Sequence, residues 1–182
     1  MTTDSTPDPA AEAGADPAPG PAAMLAAKLW ANPCWFSFRL NYLALRYNGP
    51  LYDWIRREHG LSRPEYVVVY SLALADGGQA RDITATSGFP KNTLSRAIKR
   101  IESLGLIERR PLPGGGRAQA LHLTAAGWEL FHATLPAFIA HEGAMLAALT
   151  PAEQETLSRL MAKIVVAAAD LPDRIEGGRP CA

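Results

Sequence analysis

Residues 81–127 read RDITATSGFPKNTLSRAIKRIESLGLIERRPLPGGGRAQALHLTAAG, and the rest of the chain is placed relative to them. From Lys91 to Leu104 the apolar residues Leu94, Ala97, Ile98, Ile101 and Leu104 fall at i, i+3, i+4, i+7 and i+10, one buried face of an α-helix. The opposite face carries Lys91, Asn92, Thr93, Ser95, Arg96, Lys99 and Arg100, and Glu102 is the only acid on the helix. A helix anchored by one stripe can push the other into a groove about 12 Å wide, the major groove of B-DNA. Pro90 suits a first turn, and Phe89 before it is biased away from helix. Gly105 is expected to close the helix in the left-handed region.

Working outward, Arg81 to Ser87 reads as a short helix with Ile83 inward, and Gly88 supplies the turn of a helix-turn-helix. Downstream, Leu106 to Arg110 and Ala118 to Leu123 read as two strands. They are joined by Pro111-Leu112-Pro113-Gly114-Gly115-Gly116-Arg117, a glycine-rich wing tipped by a cation. Thr124 then caps a further helix. Between 81 and 117 there are eight bases (Arg81, Lys91, Arg96, Lys99, Arg100, Arg109, Arg110, Arg117) and three acids (Asp82, Glu102, Glu108), a local excess of +5 in a chain of net charge zero. A basic patch on a neutral protein is an electrostatic footprint for phosphate.

The run SGFPKNTLSRAIKRIESLGLIERRPLPGGGRAQALHLTAAG resembles the winged helix-turn-helix core of the MarR (multiple antibiotic resistance regulator) transcription factors. The likeness extends more weakly over the flanking helices, from about 33 to 170. The family's leucine-glycine-leucine-isoleucine run is matched by Leu104 to Ile107, and its leucine-threonine-x-x-glycine turn by Leu123 to Gly127. One departure is Gly115, where the family's wing usually carries an aspartate two residues before its arginine. The resemblance implies a mainly α fold with a small β-wing, a winged helix-turn-helix with flanking N- and C-terminal dimerisation helices. It implies a homodimer that regulates transcription, as a repressor, with double-stranded DNA as its partner. The two distant cysteines and an acidic amino end without the basic start of a signal peptide point to a reduced, cytoplasmic protein.

In that arrangement Lys91 to Arg100 enter the major groove and Arg117 the adjacent minor groove. The two recognition helices read half-sites about one helical turn apart on a pseudo-palindrome. Asn92, Thr93, Ser95 and Arg96 are the candidates for base edges, and Lys99, Arg100, Arg109 and Arg110 for phosphate. A winged-helix scaffold that binds protein and not DNA is the alternative.

The expected organisation is an acidic, Pro/Ala-rich disordered tail over 1–27, a MarR-like domain over 28–172 and a flexible tail over 173–182. Within the domain the winged core covers about 61–124, with dimerisation helices about 33–59 and 125–170. The first 23 residues hold five prolines, four acids and no base, too little apolar surface to offset ordering entropy. A long helix is expected from Trp35 to Glu58, bent or divided at Asn48-Gly49-Pro50. Ser62 and Glu65 form a capping box for the next helix. A helix from Thr124 to Leu149, kinked at Pro136, and a last one with the stripe Leu157, Leu160, Met161, Ile164 and Val165 exceed what so small a core can cover. A second copy of the chain is the simplest cover.

Ten of the fourteen aromatic residues lie between Trp30 and Tyr70. Packing accounts for this; the sharper reading is an effector site using Trp35, Arg39, Tyr42, Tyr66 and Tyr70, where Arg39 would hold the carboxylate of a small aromatic or phenolic ligand. Family members that sense peroxide through an early cysteine make Cys34 a redox candidate, set against a buried inert thiol. Cys34 and Cys181 are too far apart in sequence to suggest a structural disulfide. His59, His122, His132 and His141 show no metal-ligand spacing, no cofactor is expected, and no nucleophile, base and orienting acid cluster as in an enzyme. Gly114-Gly115-Gly116 lies inside a hairpin and so is no nucleotide loop. No apolar run reaches 18 residues, so no membrane span is expected.

Overall fold

The computed structural model of the chain describes residues 20–112 and 119–172. The chain divides into two units, Met1–Arg46 and Tyr47–Ala182. In the first unit, α1 (Pro21–Trp30) starts on a proline, whose fixed φ suits a first turn, and continues through alanines and leucines. This corrects the expectation of disorder through residue 27: from Pro21 onward, local helix propensity outweighs the poverty of apolar contacts. Residues 1–19 and 173–182, the outer parts of the two expected tails, lie outside the described residues. None of the described residues of the first unit is buried.

α2 (Trp35–His59) is a single helix that continues through Pro50, so Asn48-Gly49-Pro50 does not divide it. A proline inside a helix removes one backbone donor, and the rest of the ladder carries the helix on. Gly60, at φ 67°, turns the chain out of α2. α3 (Arg63–Leu74) begins as expected, with the Ser62 N–H donating to the Glu65 carboxylate at 2.6 Å. α4 (Ala80–Ser87), α5 (Lys91–Ser103), β1 (Ile107–Pro111) and β2 (Gln119–Leu123) follow in the winged-helix order. β1 and β2 pair antiparallel, with Ile107 opposite Leu123 and Pro111 opposite Gln119. α6 (Ala125–Leu146) starts at Thr124, whose hydroxyl accepts from the Gly127 N–H, and runs on through Pro136. α7 (Pro151–Ala167) has its own capping box from Thr150 and Glu153, and a short 3-10 turn closes the described chain.

One core holds the second unit together. Ile55, Leu61, Tyr66, Val69, Leu72, Leu94, Ile98, Ile101, Leu121 and Phe138 are among its members, drawn from α2, the α2–α3 connection, α3, α5, β2 and α6. Each large apolar side chain so buried contributes roughly 1.5–3 kcal/mol. Tyr66 is fully buried, stacked on Phe138 at 4.9 Å, and its hydroxyl lies 2.6 Å from Thr134 Oγ1. Gly127 is where α6 meets the sheet. A Cβ there would lie 2.2 Å from the Leu106 carbonyl oxygen, so the leucine-threonine-x-x-glycine turn needs its glycine for close approach.

Candidate nucleic-acid interface

The helix-turn-helix is built by local rules. Gly88 adopts φ 71°, a conformation costly for any side chain, and so turns α4 into Phe89 and Pro90. The Phe89 N–H donates to the Ser87 hydroxyl at 3.2 Å, and Pro90 precedes the first helical residue, Lys91. Leu94, Ala97, Ile98 and Ile101 are buried, so the face of α5 is fixed by packing against the core. Leu104 departs from the expected stripe. It is the residue after the last helical turn and is 41 % exposed, and Gly105, at φ 71°, ends the helix behind it.

On the other face Lys91, Asn92, Ser95, Arg96, Lys99 and Arg100 are exposed, and Thr93 is half-buried. A cleft of about 670 Å³ runs between α4, α5 and β1, with Arg81, Thr84, Lys91, Ser95, Lys99 and Arg109 on its walls. A second cleft, beside the start of α3, is lined by Ser62, Glu65, Thr93, Arg96 and Arg100. The two clefts divide the expected residues of α5: Lys91, Ser95 and Lys99 line the first, and Thr93, Arg96 and Arg100 the second.

The acids of the region are each taken by an arginine. Arg81 lies 3.4 Å from Asp82, Arg109 donates from Nε to both Glu102 oxygens at 2.9 and 3.0 Å, and Arg110 donates from Nε to Glu108 at 2.9 Å. Lys91, Arg96, Lys99 and Arg100 have no carboxylate partner among the described residues. The local positive excess is thus concentrated on the outward face of one helix. Arg109 and Arg110 stand one step back, each with part of its guanidinium committed. Arg117 and the glycines of the wing tip lie outside the described residues.

Sequence reasoning missed the ties that set the wing. Asp76, after α3, reaches β2 through two contacts: His122 Nδ1 at 2.8 Å and the Leu123 N–H at 3.0 Å. Burial alone would raise the Asp76 pKa, but the contacts to His122, Leu123 and Gly77 together hold it below the ordinary carboxylate value. Gly77 and Gly78 exchange backbone hydrogen bonds with Leu121, both at 3.0 Å. Arg63 is the other missed connection: its guanidinium lies over Tyr52 at 5.4 Å and over Phe89, in the turn, at 5.3 Å. These partners are 11 to 47 positions apart, and no periodicity in the sequence relates them.

The residues expected to bind an effector are placed differently from that expectation. In the first unit the Arg39 guanidinium lies over Trp30 at 5.2 Å and Trp35 at 4.8 Å and donates to the Leu29 carbonyl at 2.7 Å. It staples α1 to the start of α2, which is work inside the unit. Tyr42 is exposed, with its ring 5.9 Å from Phe38. In the second unit Tyr66 is core, and Tyr70 is half-buried against Phe131 and Phe138. Cys34 is exposed, against the expectation of a buried thiol: its own N–H caps onto Asn32 at 2.8 Å at the entry to α2, outside any core. Among the described residues no three of His, Cys, Asp and Glu are grouped to hold a metal, and no helix is long and apolar enough to cross a membrane.

Comparison with known proteins agrees with this geometry. The model of the MarR family matches residues 59–118, which run from the end of α2 into the wing. The transcriptional regulator HosA of Escherichia coli O111:H- is 27% identical over 112 residues, covering 62% of this chain and 83% of HosA. A MarR-family regulator from Listeria monocytogenes, solved with a 26mer DNA, superposes with a TM-score of 0.68 at 20% identity, over 72% of this chain and 87% of that one. The PcaV transcriptional regulator of Streptomyces coelicolor, solved with its natural ligand, gives 0.58 at 24% identity, over 77% of this chain and 96% of its own. In its fold and in the sequence of its core, this chain is similar to the MarR family of winged-helix transcriptional regulators.

Proposed function

We propose that the chain is a homodimeric, cytoplasmic repressor that reads a pseudo-palindromic operator and is released by a small ligand. The observation that carries the DNA reading is the set of four cations without carboxylate partners among the described residues, Lys91, Arg96, Lys99 and Arg100, on the outward face of a helix whose other face is buried. A fixed helix with an unneutralised face has the size and charge to enter the major groove. Asn92, Thr93, Ser95 and Arg96 would meet base edges. Lys99 and Arg100 would meet phosphate, as would the uncommitted amines of Arg109 and Arg110, with Arg117 in the minor groove. Two such helices, related by a two-fold axis, would read half-sites about one turn apart. The dimer is supported by the apolar stripe of α7, and the proposed organisation is the winged core 61–124 between dimerisation helices 33–59 and 125–170. Ligand response is supported by likeness to PcaV, which was solved with a ligand.

The test is a titration of fluorescent genomic fragments enriched by the protein, compared with random duplex. Arg96→Ala is expected to cost about 1–3 kcal/mol on the enriched site and to relax its sequence preference. Unchanged affinity and preference in that variant would remove Arg96 from the reading set, and equal binding to all duplexes by the wild-type chain would remove the operator itself.

A further inference from the structure

The second unit has another cleft, of about 330 Å³, whose chemistry is the reverse of the basic surface. Its walls include the rings of Tyr47, Tyr70 and Phe138 together with Glu142, Gly143 and Gln154, and among the described residues no lysine or arginine lines it. Its polar groups point to a positively charged occupant. Glu142 is an exposed carboxylate, which only accepts hydrogen bonds when ionised. The Gln154 side-chain nitrogen is committed to the Leu146 and Leu149 carbonyls, at 3.2 and 3.1 Å, so the group left to meet a ligand is its amide oxygen. Burial and then the nearby Glu142 carboxylate push the Tyr47 pKa up to about 12, which keeps that ring a neutral phenol. The rings themselves are rigidly backed: Phe138 stacks on buried Tyr66, and Tyr70 packs 6.0 Å from Phe138.

We propose that this cleft, bounded by Tyr47, Tyr70, Phe138, Glu142 and Gln154, binds a small organic cation, an amine or quaternary ammonium on an aromatic or aliphatic body. Ring faces attract cations through their quadrupole, and a carboxylate with an amide oxygen completes a set of acceptors around an ammonium group. An aromatic acid would find here a like charge in Glu142 and, among the described lining residues, no guanidinium or ammonium to hold it. The volume lies at the small end of the usual range for ligand sites, about 300–1,000 Å³, which favours a one-ring compound. The inference rests on the ligand-responsive reading only for its consequence. Binding at the cleft stands or falls whether or not the chain reads DNA.

Isothermal titration of the full-length protein at pH 8, with no DNA present, decides it. Benzyltrimethylammonium and phenethylamine are the cationic probes, and 3-phenylpropionate, of similar shape, is the anionic one. Saturable binding of a cation at one per chain is expected, with the anion at least about tenfold weaker. Glu142→Gln should reduce cation binding about tenfold and narrow the gap to the anion. Gly143→Leu should abolish binding of both cations by filling the cleft, since a Cβ at that position meets only open space and the helix tolerates it. Absence of cation binding, equal binding of the anion, an undiminished cation preference in Glu142→Gln, or undiminished binding in Gly143→Leu would each overturn the proposal. If the cations bind and operator affinity is unmoved, the site stands and the repressor's release by this ligand falls.

Discussion

α5 and α7 are both amphipathic, and their apolar residues recur at the same helical spacing. In α5 Leu94, Ala97, Ile98 and Ile101 are all buried by the chain's own core. In α7 no residue is buried: Leu160 is 50 % exposed, Ile164 43 % and Val165 66 %. Periodicity tells which face of a helix is apolar, but not what covers it. The cover of α5 is α3, the strands and α4, all within reach of a short stretch of chain. The apolar face of α7 has no such cover among the described residues, and the proposed second copy is the partner that would supply it. Reading and pairing are thus assigned to two helices of one pattern and opposite burial.

The largest effect should come from putting charge on the uncovered helix. Leu160→Asp together with Ile164→Asp alters residues that the chain itself leaves half exposed, so the folded subunit should survive. Sedimentation is expected to show loss of the dimer. Affinity for a two-half-site operator should fall by roughly 10²–10⁴, the gain that linkage of two binding modules provides. A variant that remained dimeric with full affinity would show that α7 faces solvent by design, and the contrast with α5 would lose its meaning.

A smaller effect is expected on the outward face of α5. Lys99→Ala removes one exposed cation that has no carboxylate partner among the described residues. Its loss should weaken binding to all duplexes alike, and the plot of log affinity against log salt should flatten by about one unit. That distinguishes it from Arg96→Ala, whose effect depends on sequence. A slope equal to that of the wild type would mean that Lys99 meets no phosphate, and the reading surface would then be narrower than the charged face.

What could be seen in the sequence divides along the same line. The helix-turn-helix was legible because each of its parts is decided within a few residues: Gly88 by its turn, Pro90 by marking the helix entry, Leu94 to Ile101 by spacing, Ser62 and Glu65 by the capping box. The α1 helix was missed because prolines and acids dominate the composition of 1–23, while helix formation begins on the last of those prolines, Pro21. Arg39 and Tyr66 were plausible ligand contacts by residue type alone. Their partners, the Leu29 carbonyl ten positions back and Thr134 sixty-eight positions on, are set by tertiary packing. The neutralisation of Arg109 and Arg110 was likewise hidden, since a count of charges cannot say which acid sits beside which base.

The smallest effect tests whether the core beneath α5 is independent of the pairing assigned to α7. Thr134 Oγ1 donates to the Leu130 carbonyl at 2.8 Å, so in its 2.6 Å contact with Tyr66 the phenol is the donor and Thr134 the acceptor. Tyr66→Phe removes that donor and keeps the ring on Phe138. The expected cost is about 1 kcal/mol, a fall in Tm of roughly 2–4 °C for a chain of this size. Because the lost bond lies inside one subunit, the fall should be the same at every protein concentration, whereas a weakened dimer interface makes Tm depend on concentration. Operator affinity should be unchanged. The variant also has a signature in pH. Burial raises the Tyr66 pKa from 10.0 to about 12. A phenol whose pKa is higher in the folded state contributes stability that is present below 10 and is lost as pH rises through 12. Alkaline melts of Tyr66→Phe should therefore lose less stability between pH 10 and 12 than the wild type does, with Tyr47, raised to about 12, supplying part of what remains. A concentration-dependent fall in Tm would instead tie this aromatic core to the dimer, and α5 would then depend on the second copy as much as α7 does.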